Sequence, residues 1–185
     1  VDIISDVNLC YSEHARRYLM ECGLPKERTF VTGSPMAEVL HANLDKIEAS
    51  NVHQRLGLTK GQYILLSAHR EENIDTDRNF VQLFTAVNAM AEKYDMPILY
   101  SCHPRSRKRL EATGFQLDTR VIAHEPLGFL DYNCLQMNAF AVVSDSGTLP
   151  EESSFFLSVG KPFPAVSIRT STERPEALDA GCFAL

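Results

Sequence analysis

Residues 139–152 read AFAVVSDSGTLPEE and join an apolar strand to a helix through a turn of small residues. Residues 139–143 have the length and composition of a buried strand, and Phe155, Phe156 and Val159 follow at helical spacing. The first N–H groups of a helix lack internal partners, and its dipole favours negative charge. The stretch therefore predicts a strand–turn–helix unit that can hold a phosphate, although Ser-Gly after a strand is also a common turn.

Short apolar runs alternate with helical patterns along the rest of the chain from residue 62 onward. This alternation predicts an α/β fold, a parallel sheet of about six strands with helices on both faces. The predicted strands are 63–68, 97–102, 120–123, 140–144 and 163–168, with a further strand begun at the last residues. The predicted helices are 76–94 with Asp75 or Thr76 as N-cap, 104–113, 129–138, one from the small-residue turn to about 159, and 174–180.

A smaller unit precedes this pattern. It consists of a strand at 7–10, a helix at 12–21 closed by Gly23, and a strand at 29–31. Residues 32–35 then interrupt the pattern before a helix that runs to about 47, so we predict a domain boundary near Gly33. Because the chain starts with Val1 and its last four residues resemble a strand cut short, we expect it to be a fragment of a longer protein.

Composition narrows the class of protein. The 185 residues are 44% hydrophobic and carry a net charge of −6, which argues against a nucleic-acid surface. No apolar run approaches the roughly 20 residues of a membrane helix. The five cysteines are odd in number and form no Cys-x-x-Cys pair, so neither a disulfide framework nor a zinc ribbon is indicated. We expect a cytoplasmic protein without membrane or nucleic-acid partners.

The loops after the predicted strands are the places to look for a ligand, because ligands of such sheets bind at the carboxyl ends of the strands. Residues 69–73, HREEN, follow the first strand of the larger unit. His69 and Arg70 can donate to phosphate oxygens, or His69 can be an ordinary loop residue. A metal site is disfavoured, since His69 and His103 lack the short paired spacing of preformed metal sites.

Two further positions leave alternatives open. Glu152 can accept the two hydroxyls of a ribose, or Glu151 and Glu152 can simply complement the positive end of the helix. Arg174 can grip a diphosphate or brace a loop carboxylate. The basic run 105–109, RSRKR, is better interpreted as a solvated surface than as a phosphate site.

Three sequence runs together carry a family resemblance: His-Arg-Glu-Glu-Asn, Ser-Asp-Ser-Gly-x-x-x-Glu-Glu and Thr-Glu-Arg-Pro-Glu. In this order and spacing they resemble the non-hydrolysing UDP-N-acetylglucosamine 2-epimerase family along nearly the whole chain. The resemblance implies one half of a two-domain glycosyltransferase-B-type architecture of Rossmann-like domains. Residues 1–33 would then be the end of the first domain, and 34–185 most of the second, UDP-binding domain.

The resemblance also implies roles for individual residues. His69 matches a catalytic histidine at the diphosphate, with Arg70 beside it, and Ser146, Gly147 and Thr148 match the phosphate cradle. Three more positions match UDP contacts: Glu152 at the ribose, Arg174 near the phosphates and Tyr132 by the uracil. Thr148 stands where these epimerases usually have a second glycine, a departure that resembles a sister group, the UDP-N-acetyl-L-fucosamine synthases of capsule and O-antigen biosynthesis.

For this family the implied reaction is elimination of UDP across C1–C2 of the sugar, followed by re-addition with C2 protonated on the other face. No metal or nicotinamide cofactor is expected, because there is no net redox change. The groups that handle the C2 proton would lie on the missing first domain, so the chain alone should be inactive, and a homodimer is expected. A UDP-sugar glycosyltransferase, a non-catalytic nucleotide-sugar sensor and a hydrolysing epimerase remain the alternatives.

Overall fold

The structure is a computed structural model that describes residues 2–74 and 76–185. In chain order its elements are β1 (Asn8–Cys10), α1 (Glu13–Glu21), β2 (Thr29–Val31), α2 (Met36–Glu48), α3 (Val52–Leu56), β3 (Ile64–Ser67), α4 (Glu71–Ile74), α5 (Asp77–Tyr94), β4 (Ile98–Ser101), α6 (Pro104–Thr113), β5 (Val121–His124), α7 (Phe129–Met137), β6 (Ala141–Ser144), α8 (Leu149–Ser158), β7 (Ala165–Ser167) and α9 (Pro175–Asp179). Short 3-10 turns occur at Asp2–Ile4 and Lys26–Arg28.

The strands from β3 onward form one five-stranded sheet in the order β5-β4-β3-β6-β7, and every pair is parallel. Taken from β3 as the first strand, the order is the 3-2-1-4-5 of a Rossmann-like fold. The α/β prediction is therefore confirmed. In place of a sixth strand, Ala184 makes a single parallel bridge to Val166 at the sheet edge.

Helices cover both faces of this sheet because neighbouring strand residues point to opposite sides. Leu65, Leu99 and Val142 contribute to one core with residues of α2, α3, α7 and α8. Ile64, Leu66 and Tyr100 contribute to the other core, which contains Phe80 and Phe84 of α5. Each face thus has its own hydrophobic layer, as the alternating pattern predicts.

The helix ends follow their local sequence signals. The Ser12 side chain accepts from the Ala15 N–H at the start of α1, and the Thr76 side chain accepts from the Asn79 N–H at the start of α5. Thr76 is therefore the N-cap of α5, and the alternative, Asp75, lies outside the described residues. α6 has the predicted bounds, with Pro104 in its first turn and Gly114 in the left-handed conformation at its end.

Two helices were not predicted. α3 has five residues, and α4, of four residues, occupies most of the segment predicted to be a loop after β3. Both are too short to display a helical period, so the sequence pattern does not reveal them. The predicted strands also extend one or two residues beyond most of the observed ones.

β1 and β2 form a separate two-stranded parallel sheet. The assignment of residues 1–33 to another domain stays a prediction. Among the described residues, no helix has the length and apolar character needed to cross a membrane.

Candidate functional site

The candidate site lies where β3 and β6 run side by side. Ser67 at the end of β3 is paired with Ser144 at the end of β6, and the chain leaves these two strands toward opposite halves of the sheet. A crevice opens at such a switch point and is the usual ligand site of this fold. The crevice brings the segment that begins at His69 against the small-residue turn that follows β6.

Asp145 ties the two segments together. It is fully buried, and its Oδ2 accepts from the His69 N–H at 2.9 Å, the Arg70 N–H at 2.8 Å and the Asn73 Nδ2 at 3.0 Å. The same Asn73 amide donates to the Ile168 carbonyl at 3.2 Å, which adds the end of β7 to the network. Asp145 was not among the predicted site residues, although a lone acid at the end of an apolar strand was a usable signal.

The turn after β6 contains a chain of hydroxyl groups. The Thr148 hydroxyl lies 2.9 Å from the Ser146 hydroxyl and donates to Glu152 Oε1 at 2.9 Å. Thr148 is the N-cap of α8, yet its side chain does not cap the helix. The amide end of α8 is therefore left to attract an anion, while the Thr148 hydroxyl orients Glu152 instead.

Glu152 is a buried carboxyl group, 8% exposed. Burial raises its pKa, and the hydrogen bond from Thr148 offsets this only in part. Because an ionised carboxylate that is poorly solvated gains from every donor it meets, Glu152 is suited to accept hydroxyl groups of a ligand.

Two guanidinium groups flank Gly147. A Cβ added to Gly147 would lie 3.8 Å from Arg169 Nη1 and 3.9 Å from Arg70 Nη2. Arg169 makes a bidentate ion pair with Glu173, both contacts at 2.7 Å, and this pair lowers the pKa of Glu173 to about 2. The positive charge over the turn is thus held in place, and Arg169 is a second site residue that was not predicted.

The crevice continues into a cavity of about 360 Å³. Its lining consists of Ser67, His69, Ser101, His103, Pro126, Tyr132, Ser146, Thr148 and Glu152. Burial raises the pKa of Tyr132 to about 12, so its hydroxyl stays protonated as a donor. The structure therefore gathers five of the predicted site residues around one cavity, with Arg70 and Gly147 beside it.

Arg174 does not line that cavity. Its Nε donates to Glu151 Oε1 at 2.9 Å, and its guanidinium carbon lies 4.8 Å from the centre of the Tyr11 ring. It lines another cavity of about 350 Å³ together with Tyr11 and Glu176. Of the two alternatives for Arg174, the structure shows the ion pair with a carboxylate, and the diphosphate role stays a prediction.

Other polar clusters of the sequence have structural partners. Arg109 of the basic run pairs with Asp77 at 2.7 Å, and Arg107 donates to the Ala123 carbonyl at 3.5 Å. Within residues 2–74 and 76–185, no group of three or more His, Cys, Asp and Glu side chains could hold a metal ion.

A Rossmann-like sheet with an anion-attracting turn at its switch point is typical of nucleotide-binding α/β proteins. The comparisons with known proteins narrow this class. The sequence profile of the UDP-N-acetylglucosamine 2-epimerase family matches residues 1–185. The chain belongs to that family.

Comparisons with individual relatives support the assignment to this family. The UDP-N-acetylglucosamine 2-epimerase of Methanocaldococcus jannaschii is 30% identical over 97% of this chain, which covers 50% of that protein. Its structure in complex with UDP-GlcNAc and UDP superposes with a TM-score of 0.88 at 29% identity over 100% of this chain and 51% of that one. The structure of the Rickettsia bellii enzyme superposes with a TM-score of 0.84 at 42% identity over 100% and 47%. The chain thus spans about half the length of the relatives that it matches.

Proposed function

We propose that this chain is the UDP-binding half of an isomerase, a UDP-N-acetylhexosamine 2-epimerase. The observation that carries the proposal is the crevice between β3 and β6, where His69, Glu152 and the turn before α8 line one cavity and two guanidinium groups lie beside it at Gly147. A nucleoside diphosphate needs cationic groups and amides for its phosphates and acceptors for its ribose, and the crevice offers both.

Each part of the site has a task in this proposal. The amide end of α8 and the Arg70 and Arg169 guanidiniums hold the diphosphate over Gly147. Glu152 accepts the ribose hydroxyls, and Tyr132 lies on the side of the uracil. Arg174 joins the diphosphate contacts once the substrate is bound.

The reaction is elimination of UDP across C1–C2 of the sugar and its re-addition after C2 has been protonated on the opposite face. Expulsion of UDP places growing negative charge on the diphosphate, so donors aimed at that charge lower the barrier. His69 is the donor at the cavity. Because the sugar undergoes no net oxidation or reduction, the chemistry requires no cofactor.

The structure of the whole protein is part of the proposal. Residues 1–33 belong to a first Rossmann-like domain and residues 34–185 to the second, in a glycosyltransferase-B-type arrangement that assembles as a homodimer. The first domain supplies the acid and base for the C2 proton, and this chain alone binds UDP without epimerising the sugar.

The proposed reaction is either interconversion of UDP-N-acetylglucosamine and UDP-N-acetylmannosamine or the related epimerisation that forms UDP-N-acetyl-L-fucosamine. Thr148 resembles the residue of the enzymes that form UDP-N-acetyl-L-fucosamine, and this favours the second reaction, a step in the synthesis of capsule or O-antigen precursors. All five cysteines are free thiols, which supports a cytoplasmic location.

Calorimetric titration with UDP tests the binding half of the proposal. We expect saturable binding of UDP that is tighter than that of uridine and that weakens in Glu152→Ala. Glu92→Ala, an exposed position on α5, is the control and should bind like the parent. Equal affinity for UDP and uridine would contradict the diphosphate site.

Proton exchange at C2 tests the reaction in the intact protein. Incubated with UDP-N-acetylhexosamine in heavy water, it should incorporate deuterium at C2 and release the 2-acetamidoglycal at low levels. Transfer of the sugar to an acceptor would favour a glycosyltransferase, and binding without exchange would favour a sensor. Release of free N-acetylmannosamine would favour a hydrolysing epimerase.

A further inference from the structure

One buried carboxylate oxygen in the site has no hydrogen-bond partner among the described residues. It is Asp145 Oδ1, which lies 3.4 Å from His69 Nδ1. The other oxygen of the same carboxylate accepts two backbone N–H groups and the Asn73 amide. A buried acceptor left without a donor is costly, so its position against an imidazole calls for an explanation.

We propose that Asp145 is a positioning residue that acts through His69. Its Oδ1 accepts the Nδ1–H of His69 and thereby directs Nε2–H, on the opposite side of the ring, toward a diphosphate oxygen. This inference rests on the proposed function, because it takes the diphosphate of UDP as the second anion.

The two carboxylate oxygens of Asp145 have different contacts. Asp145 Oδ2 builds the loop by holding the backbone of His69 and Arg70, so the Oδ1 atom is kept in place by contacts that do not involve the imidazole. The Ser67 hydroxyl also lies 3.4 Å from His69 Nδ1. The imidazole is half exposed and lines the cavity, which leaves its other nitrogen open to a ligand.

In the UDP complex, the negative charge of Asp145 acts on the protonation of His69. The imidazole then lies between the Asp145 carboxylate and the diphosphate, and two flanking anions favour a ring with both nitrogens protonated. Such a ring donates to both neighbours at once. Other charged and titratable groups near the pair include Arg70, Arg169, Glu152, Tyr132, His103 and Tyr100, and Glu72 and Glu173 lie at the two arginines.

Nitrogen NMR of histidine-labelled intact protein tests the proposal directly. In the UDP complex at neutral pH, we expect both nitrogens of His69 to carry a proton. A complex in which His69 carries a proton on Nε2 alone would overturn the role of Asp145 and leave the proposed function standing. Failure of UDP to bind at all would overturn both.

Asp145→Asn removes the negative charge of the side chain and keeps its contacts with the backbone of the loop. The carbonyl oxygen of the introduced amide can still accept from the two backbone N–H groups, while its NH₂ group faces His69 Nδ1 as a donor. We expect the proton on Nδ1 to disappear in the UDP complex and kcat for elimination to fall roughly 100-fold, as for loss of one oriented donor. KM should change little.

Asn73→Ala is the matched control, because the Asn73 amide donates to Asp145 Oδ2 and the Ile168 carbonyl, contacts that hold the loop and do not involve Asp145 Oδ1. We expect it to lower the melting temperature while both His69 nitrogens stay protonated in the UDP complex. Equal spectral changes in Asn73→Ala and Asp145→Asn would mean that Asp145 acts only on the loop. If Asp145→Asn does not fold, the spectrum of the parent protein still decides the question.

Discussion

Glu152 is a carboxyl group held where ionisation is costly. Its pKa is raised in the folded protein, so the folded state binds the proton more tightly than the unfolded chain does. The contribution of Glu152 to stability therefore falls as the pH rises from the ordinary glutamate range, near 4.5, through the raised value. A role in ligand binding explains why a carboxyl group is found at a position where its ionisation destabilises the free protein.

For Glu152→Gln we accordingly expect opposite changes in stability and binding. At pH 8 the free protein should be more stable than the parent, and near pH 4 the difference should vanish, because both side chains are then neutral. Affinity for UDP should fall about 10-fold or more, through loss of hydrogen bonds to a charged acceptor. Thermal unfolding across this pH range and calorimetry measure the two effects, and Glu92→Gln is the control that should show neither.

Substitution of Gly147 tests where the diphosphate binds. In Gly147→Ala the new methyl group would meet only the tips of Arg169 and Arg70, at 3.8 and 3.9 Å, so the fold should be retained. The methyl group would nevertheless occupy the space where a phosphate approaches the turn. We expect UDP affinity to fall roughly 10-fold, the loss of about one charge-assisted hydrogen bond, with uridine affinity unchanged.

Gly128→Ala is the control for this substitution, because a Cβ at Gly128 meets no atom within 4 Å. It should bind UDP like the parent. If Gly147→Ala binds UDP as tightly as Gly128→Ala does, the phosphate does not approach the turn at Gly147.

At the scale of elements, α7 is held against α3 through one carboxylate. Asp131 accepts from the Ser50 hydroxyl at 2.6 Å and from Arg55 Nη2 at 2.5 Å. The Ser50 hydrogen bond, followed by the Arg55 contact, lowers the pKa of Asp131. The next residue, Tyr132, lines the cavity, so this contact positions one wall of the site.

Asp131→Asn should weaken this anchor in a pH-dependent way. Because the folded-state pKa is lowered, the stabilisation is present above the ordinary aspartate range and is lost as the pH falls through the folded value. At pH 7 we expect a loss of up to about 1 kcal/mol, since Arg55 is half exposed, and no difference in strong acid. Urea unfolding at several pH values measures it; Asp45→Asn, exposed on α2, should show no such pH dependence.

For the molecule as a whole, Arg174 links the unit of β1, α1 and β2, which includes Tyr11, to helix α8 of the larger unit. It contacts the Tyr11 ring on one side and Glu151 of α8 on the other. Tyr11→Leu removes the cation–π contact but leaves the ion pair. We expect a loss of about 0.5–1 kcal/mol in stability and faster proteolysis between β2 and α2. Tyr18→Leu, at a more exposed position of the same unit, should leave the proteolysis rate unchanged.

Local sequence preferences predicted most of the secondary-structure elements and the loops in which to look for a ligand. The apolar runs predicted all five strands of the large sheet, and the capping signals predicted the bounds of α6, because these preferences act within about ten residues. Three motifs at strand ends identified the family. The helices α3 and α4 were not predicted, because segments of four or five residues are too short to show a helical period.

Which of these loops come into contact depends on the tertiary structure. The pairing of β3 with β6 brings Asp145 against the backbone of His69 and Arg70, which lie 76 and 75 positions earlier in the chain. The pairing of β7 with β6 leaves Arg169 beside Gly147, whereas Arg174 lies against Tyr11. Such contacts depend on strand order and on how the helices pack, which are properties of the whole chain, and no local pattern records them.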